Sequence, residues 1–307
     1  MQDHVVAFVC TMGAIHLYLV RHGESVDNVA NLYAGSRDAP LTSHGVLQAR
    51  RLGAHLATRT TAASASITYI FTSNLQRAYR TAVAVRDAMT ASHLSAPSAL
   101  HGLQPLSSMA RVIEVVQLPE LREKHFGTGE GQKFGVRSTS VSNRPRHEGA
   151  EDHDALRMRA ERFVEGYLAP IFACVDAEPG NGAESIVIIA HGIILGVLAR
   201  TLRAAGNFAP LGSVPENQLH LSWSNTGYVE MHITTAPLPS ATASKDAALT
   251  LKWPRLSLRT VRVNCTDHLQ GLRKTRGGIG SAKFDEKQKT LKSFFAPMAK
   301  KRKHAET

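Results

Sequence analysis

Two short stretches of this chain share a pattern that severely limits its fold. An apolar run from Ile15 to Val20 ends abruptly on Arg21, His22, Gly23 and Glu24. A second run, Ile186 to Ala190, ends on His191 and Gly192 and leads into the helical pattern IILGVLAR. Runs this short, apolar and rich in β-branched residues predict strands buried on both faces, as in a parallel sheet covered by helices. Each strand delivers a histidine to its carboxyl end, where open α/β sheets bind ligands. The glycine that follows lets the backbone turn away, so a substrate can approach the imidazole. One such strand end carries little weight; two in one chain point to a shared crevice.

The segments between and after these strands fit the same plan. Asn28, Asn31, Gly35, Asp38 and Pro40 are loop chemistry. Thr42 or Ser43 can cap a helix over His44 to Ala57. Ile67 to Ser73 predicts a second buried strand, followed by SNLQRAYRTA, which places Arg77 in the first turn of the next helix. Backbone N–H groups and an arginine there together favour an anion. Residues 92–110 are Ser/Ala/Pro-rich and predict an inserted loop, after which Arg111 to Val116 predicts a third strand. That strand feeds LPELREKHFGTGEG, and residues 128–149 predict a mobile loop or short cap at the active site. One long helix is expected from Asp152 to Cys174. LHLSW and GYVEMHI flank SNTG and predict a hairpin turning at Asn225, Thr226 and Gly227. Residues 234–250 are a second Pro/Ala/Ser/Thr-rich insertion, and RLSLRTVRVNC (255–265) alternates like an edge strand. This alternation of strands and helices predicts an α/β fold, a three-layer α/β/α sandwich with a mainly parallel sheet.

Charge separates the chain into two parts. Residues 1–244 carry 20 basic and 20 acidic residues, whereas 245–307 carry 16 basic and 5 acidic ones. The whole net charge of +11 therefore sits in the last fifth, which predicts a separate basic tail. The expected organisation is an N-terminal extension (1–14), a catalytic domain (15–270) and a disordered basic tail (271–307). Three distant cysteines (Cys10, Cys174, Cys265) give neither a disulfide framework nor a metal spacing, as expected in a reducing compartment. The apolar start lacks a basic flank and is too short to span a bilayer, so a soluble intracellular protein with no membrane partner is expected.

Two arginines (Arg21, Arg77) and two histidines (His22, His191) converging at strand ends suit a phosphoryl group. A neutral imidazole can attack phosphorus, splitting a slow hydrolysis into two easier steps, while a carboxylic acid protonates the leaving oxygen. RHGES with Asn28, Gly35 and PLTSHGVLQA resembles the opening motif of the histidine phosphatase, or phosphoglycerate mutase-like, superfamily. SNLQRAYRTA, LREKHFG and AHG resemble its second, acid-bearing and second-histidine motifs, in the family's order, and SNTG around Asn225 resembles a late structural motif. The resemblance covers residues 15–235. It implies a phosphoglycerate mutase-like fold and a phosphohistidine intermediate on His22, with no cofactor and no metal. It also implies that Arg21, Arg77 and His191 bind phosphoryl oxygens, that Asn28 and Gly35 contact phosphate, and that Glu123 is the general acid/base. Glu114, Glu120 and Glu130 are rival carboxylates in the same region; Glu120 reads as a strand-end surface charge.

The short region after the acid motif favours a phosphatase of phosphate monoesters over a mutase, and REKHFGTGEG resembles the fructose-2,6-bisphosphatase-like and broad-specificity branches. Lys124, Lys133, Arg137, Arg144 and Arg146 can read a second phosphate or acidic group, or form a solvated face. The alternatives are a mutase-type phosphotransferase and a non-catalytic scaffold that reuses the fold. In the tail, Leu291, Phe294 and Phe295 fall on one face of a helical turn. Gln288-x-x-Leu291-x-x-Phe294-Phe295 resembles the PIP box that docks on the PCNA sliding clamp. Lys300, Lys301, Arg302 and Lys303 resemble a nuclear localisation signal. The resemblances imply PCNA as partner and a nuclear location, with cytoplasm also open; the basic tail can also touch nucleic acid directly.

Overall fold

The strand that carries His22 lies in the middle of a seven-stranded sheet, with helices on both of its faces. The structure is a computed structural model and describes residues 12–63, 65–95, 113–134, 147–177, 182–208, 221–235, 253–274 and 279–285. In chain order the strands are β1 (Met12–Arg21), β2 (Ala65–Ser73), β3 (Val115–Leu118), β4 (Gly182–Ala190), β5 (Gly206–Phe208), β6 (Tyr228–Thr235) and β7 (Trp253–Cys265). The longer helices are α2 (Ser43–Ala62), α3 (Gln76–Ser95), α4 (His153–Phe163), α5 (Ala169–Ala177) and α6 (Gly192–Ala205); α1 is a single turn, Val26–Val29. The sheet order is β3-β2-β4-β1-β6-β7-β5. Pairings β3-β2, β2-β4, β4-β1 and β7-β5 are parallel, and those of β6 with β1 and β7 are antiparallel. The expected three-layer sandwich with a mainly parallel sheet is the fold observed.

Alternation along β1 explains why its sequence is apolar on both sides. Ile15, Leu17 and Leu19 pack with α4, α5 and α6, while Tyr18 and Val20 pack with α2 and α3. β1 runs on to α2 on one face and β4 runs on to α6 on the other, so the chain diverges between β1 and β4. Such a divergence opens a crevice at the strands' carboxyl ends.

Several boundaries differ from expectation. Thr42, rather than Ser43, caps α2 by accepting from Gly45 N–H, and the helix runs five residues past Ala57. The expected helix from 152 to 174 is interrupted by a π-helical turn, Val164–Leu168, between α4 and α5. Pro170 has no N–H to give the carbonyl of Gly166, four residues earlier, and the N–H of Ala169 reaches back five residues to Val164. The expected hairpin is absent: Leu221–Ser224 is not strand, and β6 pairs with β1 and β7 instead. Asn225 and Thr226 do form the turn, with Thr226 at φ +57°, but its purpose is to hold the end of β1. β7 is not the edge strand; β5 lies outside it and pairs with Trp253, Ser257 and Leu258.

The domain limits also shift. β1 begins at Met12, so the domain starts before residue 15. At the other end the described residues beyond 270 still pack on the domain. Ser43 N–H donates to Ala282 O, Phe284 N–H to Leu41 O, and the Arg50 guanidinium lies 5.9 Å over the Phe284 ring. Lys274 Nζ bridges both carboxylate oxygens of Glu24 at 2.8 Å. The tail therefore cannot begin at 271. The core of the first insertion (96–112), the second insertion (236–250) and the tail motifs lie outside the described residues.

Candidate active site

The parallel register of β1 and β4 sets Arg21 beside Ala190, so His22 and His191 leave the sheet side by side. Their rings meet edge to face with centroids 5.0 Å apart, and both residues are almost fully buried. The His22 N–H is fixed on Ala190 O at 3.0 Å. Its carbonyl accepts from Thr226 N–H and from Asn225 Nδ2. The Asn225 amide also donates to Asn28 Oδ1, which ties the late turn to the opening motif.

His22 Nδ1 lies 2.6 Å from Gly23 O. A carbonyl can only accept, so Nδ1 carries the proton and Nε2 keeps its lone pair. Burial pushes the His22 pKa well below 6.5, and the Arg77 and Arg21 guanidinium groups push the same way. His191 is lowered by burial, Arg77, His22 and Arg21. Both imidazoles are thus neutral at pH 7. Gly23 is needed for a different reason from the one expected. A Cβ there would meet Gly45 O at 2.7 Å, and one on Gly45 would meet Glu24 O at 2.1 Å. The start of α2 presses directly on the loop after His22. Gly45→Ala is expected to cost about 1–3 kcal/mol of stability, read as a fall in Tm by circular dichroism.

Arg77 lies in the first turn of α3, whose start is held by Asp38: Oδ1 accepts from Gln76 N–H. Its guanidinium donates to the carbonyls of Arg37, Ala34 and Gly35. Arg77 therefore both carries charge into the crevice and shapes the loop beside it. Arg21 donates to Trp223 O at 2.6 Å, and its Nε is buried without a hydrogen-bond partner. Both ring nitrogens of His191 are buried without partners as well. Orphaned groups aimed into a cationic crevice are those an oxyanion would satisfy.

Glu123 faces this group from the turn after β3. Its Oε1 accepts from Lys124 and Ile194 N–H, and its Oε2 from Ile193 N–H at 3.1 Å. It sits on the first turn of α6, directly after His191. Burial raises its pKa above 4.5, although these N–H groups and Arg77 oppose the rise. The rivals are occupied elsewhere. Glu130 clasps the loop through the N–H groups of Gly35, Ser36 and Phe126, and Glu114 is exposed near the start of β3. Glu120 is half-buried rather than a surface charge, with Oε2 enclosed beside Tyr167.

Asn28 forms a capping box with Ser25, and its Oδ1 accepts from Ser25 N–H and from the Asn225 amide. Gly35 is different: its N–H is committed to Glu130, and a Cβ would fall 1.9 Å from Lys124 O. The structure places it as a close-packing position of the loop rather than as an open donor. Lys124 directly follows Glu123 and Lys133 lies three residues past Glu130, whereas Arg137, Arg144 and Arg146 lie outside the described residues.

Matching the chain against known families gives the histidine phosphatase superfamily (branch 1) over residues 17–223. The chain belongs to that superfamily. A Schizosaccharomyces pombe member described as a probable phosphatase is 28% identical across 90% of this chain and 78% of its own length. A 2,3-bisphosphoglycerate-dependent phosphoglycerate mutase of Azorhizobium caulinodans is 31% identical over 61% of this chain and 80% of its own. Among solved structures, phosphoglycerate mutase from Bacillus anthracis aligns with a TM-score of 0.54 at 18% identity, covering 85% of this chain and 97% of its own. That likeness establishes the shared fold of the superfamily.

Arg159 on α4 is the site residue that sequence reasoning missed. It donates to the carbonyls of Glu120, Arg122 and Glu123, and pairs with Glu151 at 2.8 Å. It thus fixes the backbone that presents the Glu123 carboxylate to the histidine phosphatase crevice. Arg159→Met is expected to lower kcat about 10- to 100-fold through misplacement of Glu123. KM should stay nearly constant in steady-state kinetics, since the groups aimed at the oxyanion are untouched.

Proposed function

We propose that the chain is a phosphatase that hydrolyses phosphate monoesters through a phosphohistidine on His22. The observation that carries the reading is the tautomer of His22, whose Nδ1–H donates to Gly23 O and leaves Nε2 as a nucleophile between two guanidinium groups. In the first step Nε2 bonds to phosphorus, the bond to the leaving oxygen breaks, and protonated Glu123 gives that oxygen its proton. In the second, Glu123 carboxylate takes a proton from water, the water oxygen bonds to phosphorus, and the P–N bond breaks to release phosphate. Arg21, Arg77 and His191 hold the equatorial oxygens, and Asn28 adds its amide. The match over 90% of the chain to a relative described as a probable phosphatase supports hydrolysis over transfer. The mutase relatives give the second reading its weight.

Release of inorganic phosphate separates the two. Steady release from an aryl phosphate, and from a panel that includes sugar bisphosphates, supports the phosphatase and tests the fructose-2,6-bisphosphatase-like reading. Isomerisation of phosphoglycerates without net release would replace it by the mutase. A non-catalytic scaffold would leave wild type as inactive as His22→Ala.

The tail supplies the rest of the proposal: Gln288, Leu291, Phe294 and Phe295 dock on PCNA, and Lys300 to Lys303 direct the protein to the nucleus. The described residues end at Asp285, three residues before Gln288, so the motif itself lies outside them. A peptide covering Gln288 to Lys303 is expected to bind PCNA and to lose binding on the double change Phe294→Ala, Phe295→Ala. Absence of binding by the full-length protein would refute the docking.

A further inference from the structure

Six residues before His22, the α2 face of the sheet carries polar groups where an apolar layer is expected. β1 and β6 pair with His16 directly opposite His232. Strand alternation places both on the face shared by Tyr18 and Tyr228, together with Glu230 two residues before His232. The two imidazoles stack with centroids 4.0 Å apart and planes 27° apart. His232 Nε2 lies 3.1 Å from Glu230 Oε1. The ligating atoms of His16, Glu230 and His232 all fall within 4.8 Å of one another, the one such group of three among the described residues.

The surroundings account for Glu230 and His232 but not for His16. Arg59 Nη2 holds Glu230 Oε2 at 2.5 Å, and Arg262 Nε lies 3.8 Å from the same oxygen. That network, to which the Tyr18 hydroxyl adds hydrogen bonds with Arg59 and Glu230, explains why a carboxylate is buried there, and Oε1 faces His232. His16 Nδ1 is buried with no hydrogen-bond partner. Neutral imidazole is the form that binds metal. Nitrogen and oxygen ligands about 2.0–2.2 Å from a tetrahedral ion stand roughly 3.3–3.5 Å apart. The His232–Glu230 pair is already close to that spacing, and Arg59 acts as the outer donor that orients a ligating carboxylate.

We propose that His16, Glu230 and His232 form a site for one zinc-type divalent ion, bound through two imidazole nitrogens and Glu230 Oε1, with water completing a tetrahedron. Two nitrogens and one oxygen suit zinc among the first-row metals. At about 3.3 Å per strand residue, the site lies about 20 Å from His22. The ion therefore clamps β1 to β6 and takes no part in the reaction at His22.

The test uses full-length protein stripped with a chelator. Zinc is titrated calorimetrically, and cobalt is followed by its visible absorption. One tight equivalent with a tetrahedral cobalt band is expected in wild type. Binding should weaken at least tenfold in both His16→Ala and His232→Ala, and persist in the double change His22→Ala, His191→Ala. Zinc should also raise the Tm of wild type but not of His16→Ala; equal circular dichroism in chelator shows that the variants fold. If an alanine variant is unfolded, His232→Asn replaces it in the same titration. The proposal is overturned by the lack of a tight equivalent in wild type, or by its survival in both folded histidine variants. Loss in the His22, His191 double variant would also overturn it, by assigning the ion to the catalytic crevice.

Discussion

His22→Ala is expected to lower kcat/KM for an aryl phosphate on the order of 10⁴-fold or more. The Nε2 lone pair is the attacking group in the proposed two-step route, and the nearest imidazole cannot take its place. His191 has no backbone carbonyl to fix its tautomer, and it is among the groups aimed at the phosphoryl oxygens. The substitution should spare the fold, because the His22 backbone carries the bonds to Ala190, Thr226 and Asn225. Unchanged circular dichroism with activity near background is the expected pair of results. Phosphate release at the wild-type rate would refute the role of His22.

Glu123→Gln is expected to reduce hydrolysis of an alkyl phosphate about 10²- to 10⁴-fold, the usual span for a positioned proton donor. The loss should depend on the leaving group. A nitrophenolate leaves without a proton, so phosphorylation of His22 should be nearly normal and the slow step becomes attack by water. Stopped-flow measurement should then show a burst of nitrophenol followed by a slow steady state. The pH profile follows from the two displaced pKa values. His22, lowered well below 6.5, must be unprotonated and sets the acid limb. Glu123, raised above 4.5, must be protonated for a poor leaving group and sets the alkaline limb. Only the alkaline limb should vanish in Glu123→Gln.

What could be read from the sequence was local. Strand, histidine, glycine and helix succeed one another within a few residues at His22 and at His191, so their pairing followed from parallel strands alone. Arg77 was legible because a helix start is a local feature. Arg159 was not: it sits 36 residues beyond Glu123, and an arginine on a helix pattern looks like a solvated face until α4 is packed. Glu123 could be separated from Glu130 only by aligning a motif; the physical distinction is which N–H groups each accepts. Gly35 illustrates the same limit, since its proximity to Lys124 and Glu130 depends on two distant loops meeting. His16, Glu230 and His232 were passed over because a histidine inside an apolar strand gives no signal until its cross-strand neighbours are known.

The chemistry of the phosphorylated enzyme tests the central claim most directly. Wild type and Glu123→Gln would be mixed with a 32P-labelled aryl phosphate, quenched within milliseconds and mapped by peptide mass spectrometry. The expected result is one phosphoryl group on His22, stable in alkali and lost in acid, that accumulates in Glu123→Gln. Absence of any phosphoenzyme in a variant that still releases phosphate, or an acid-stable phosphoryl group on another residue, would contradict it.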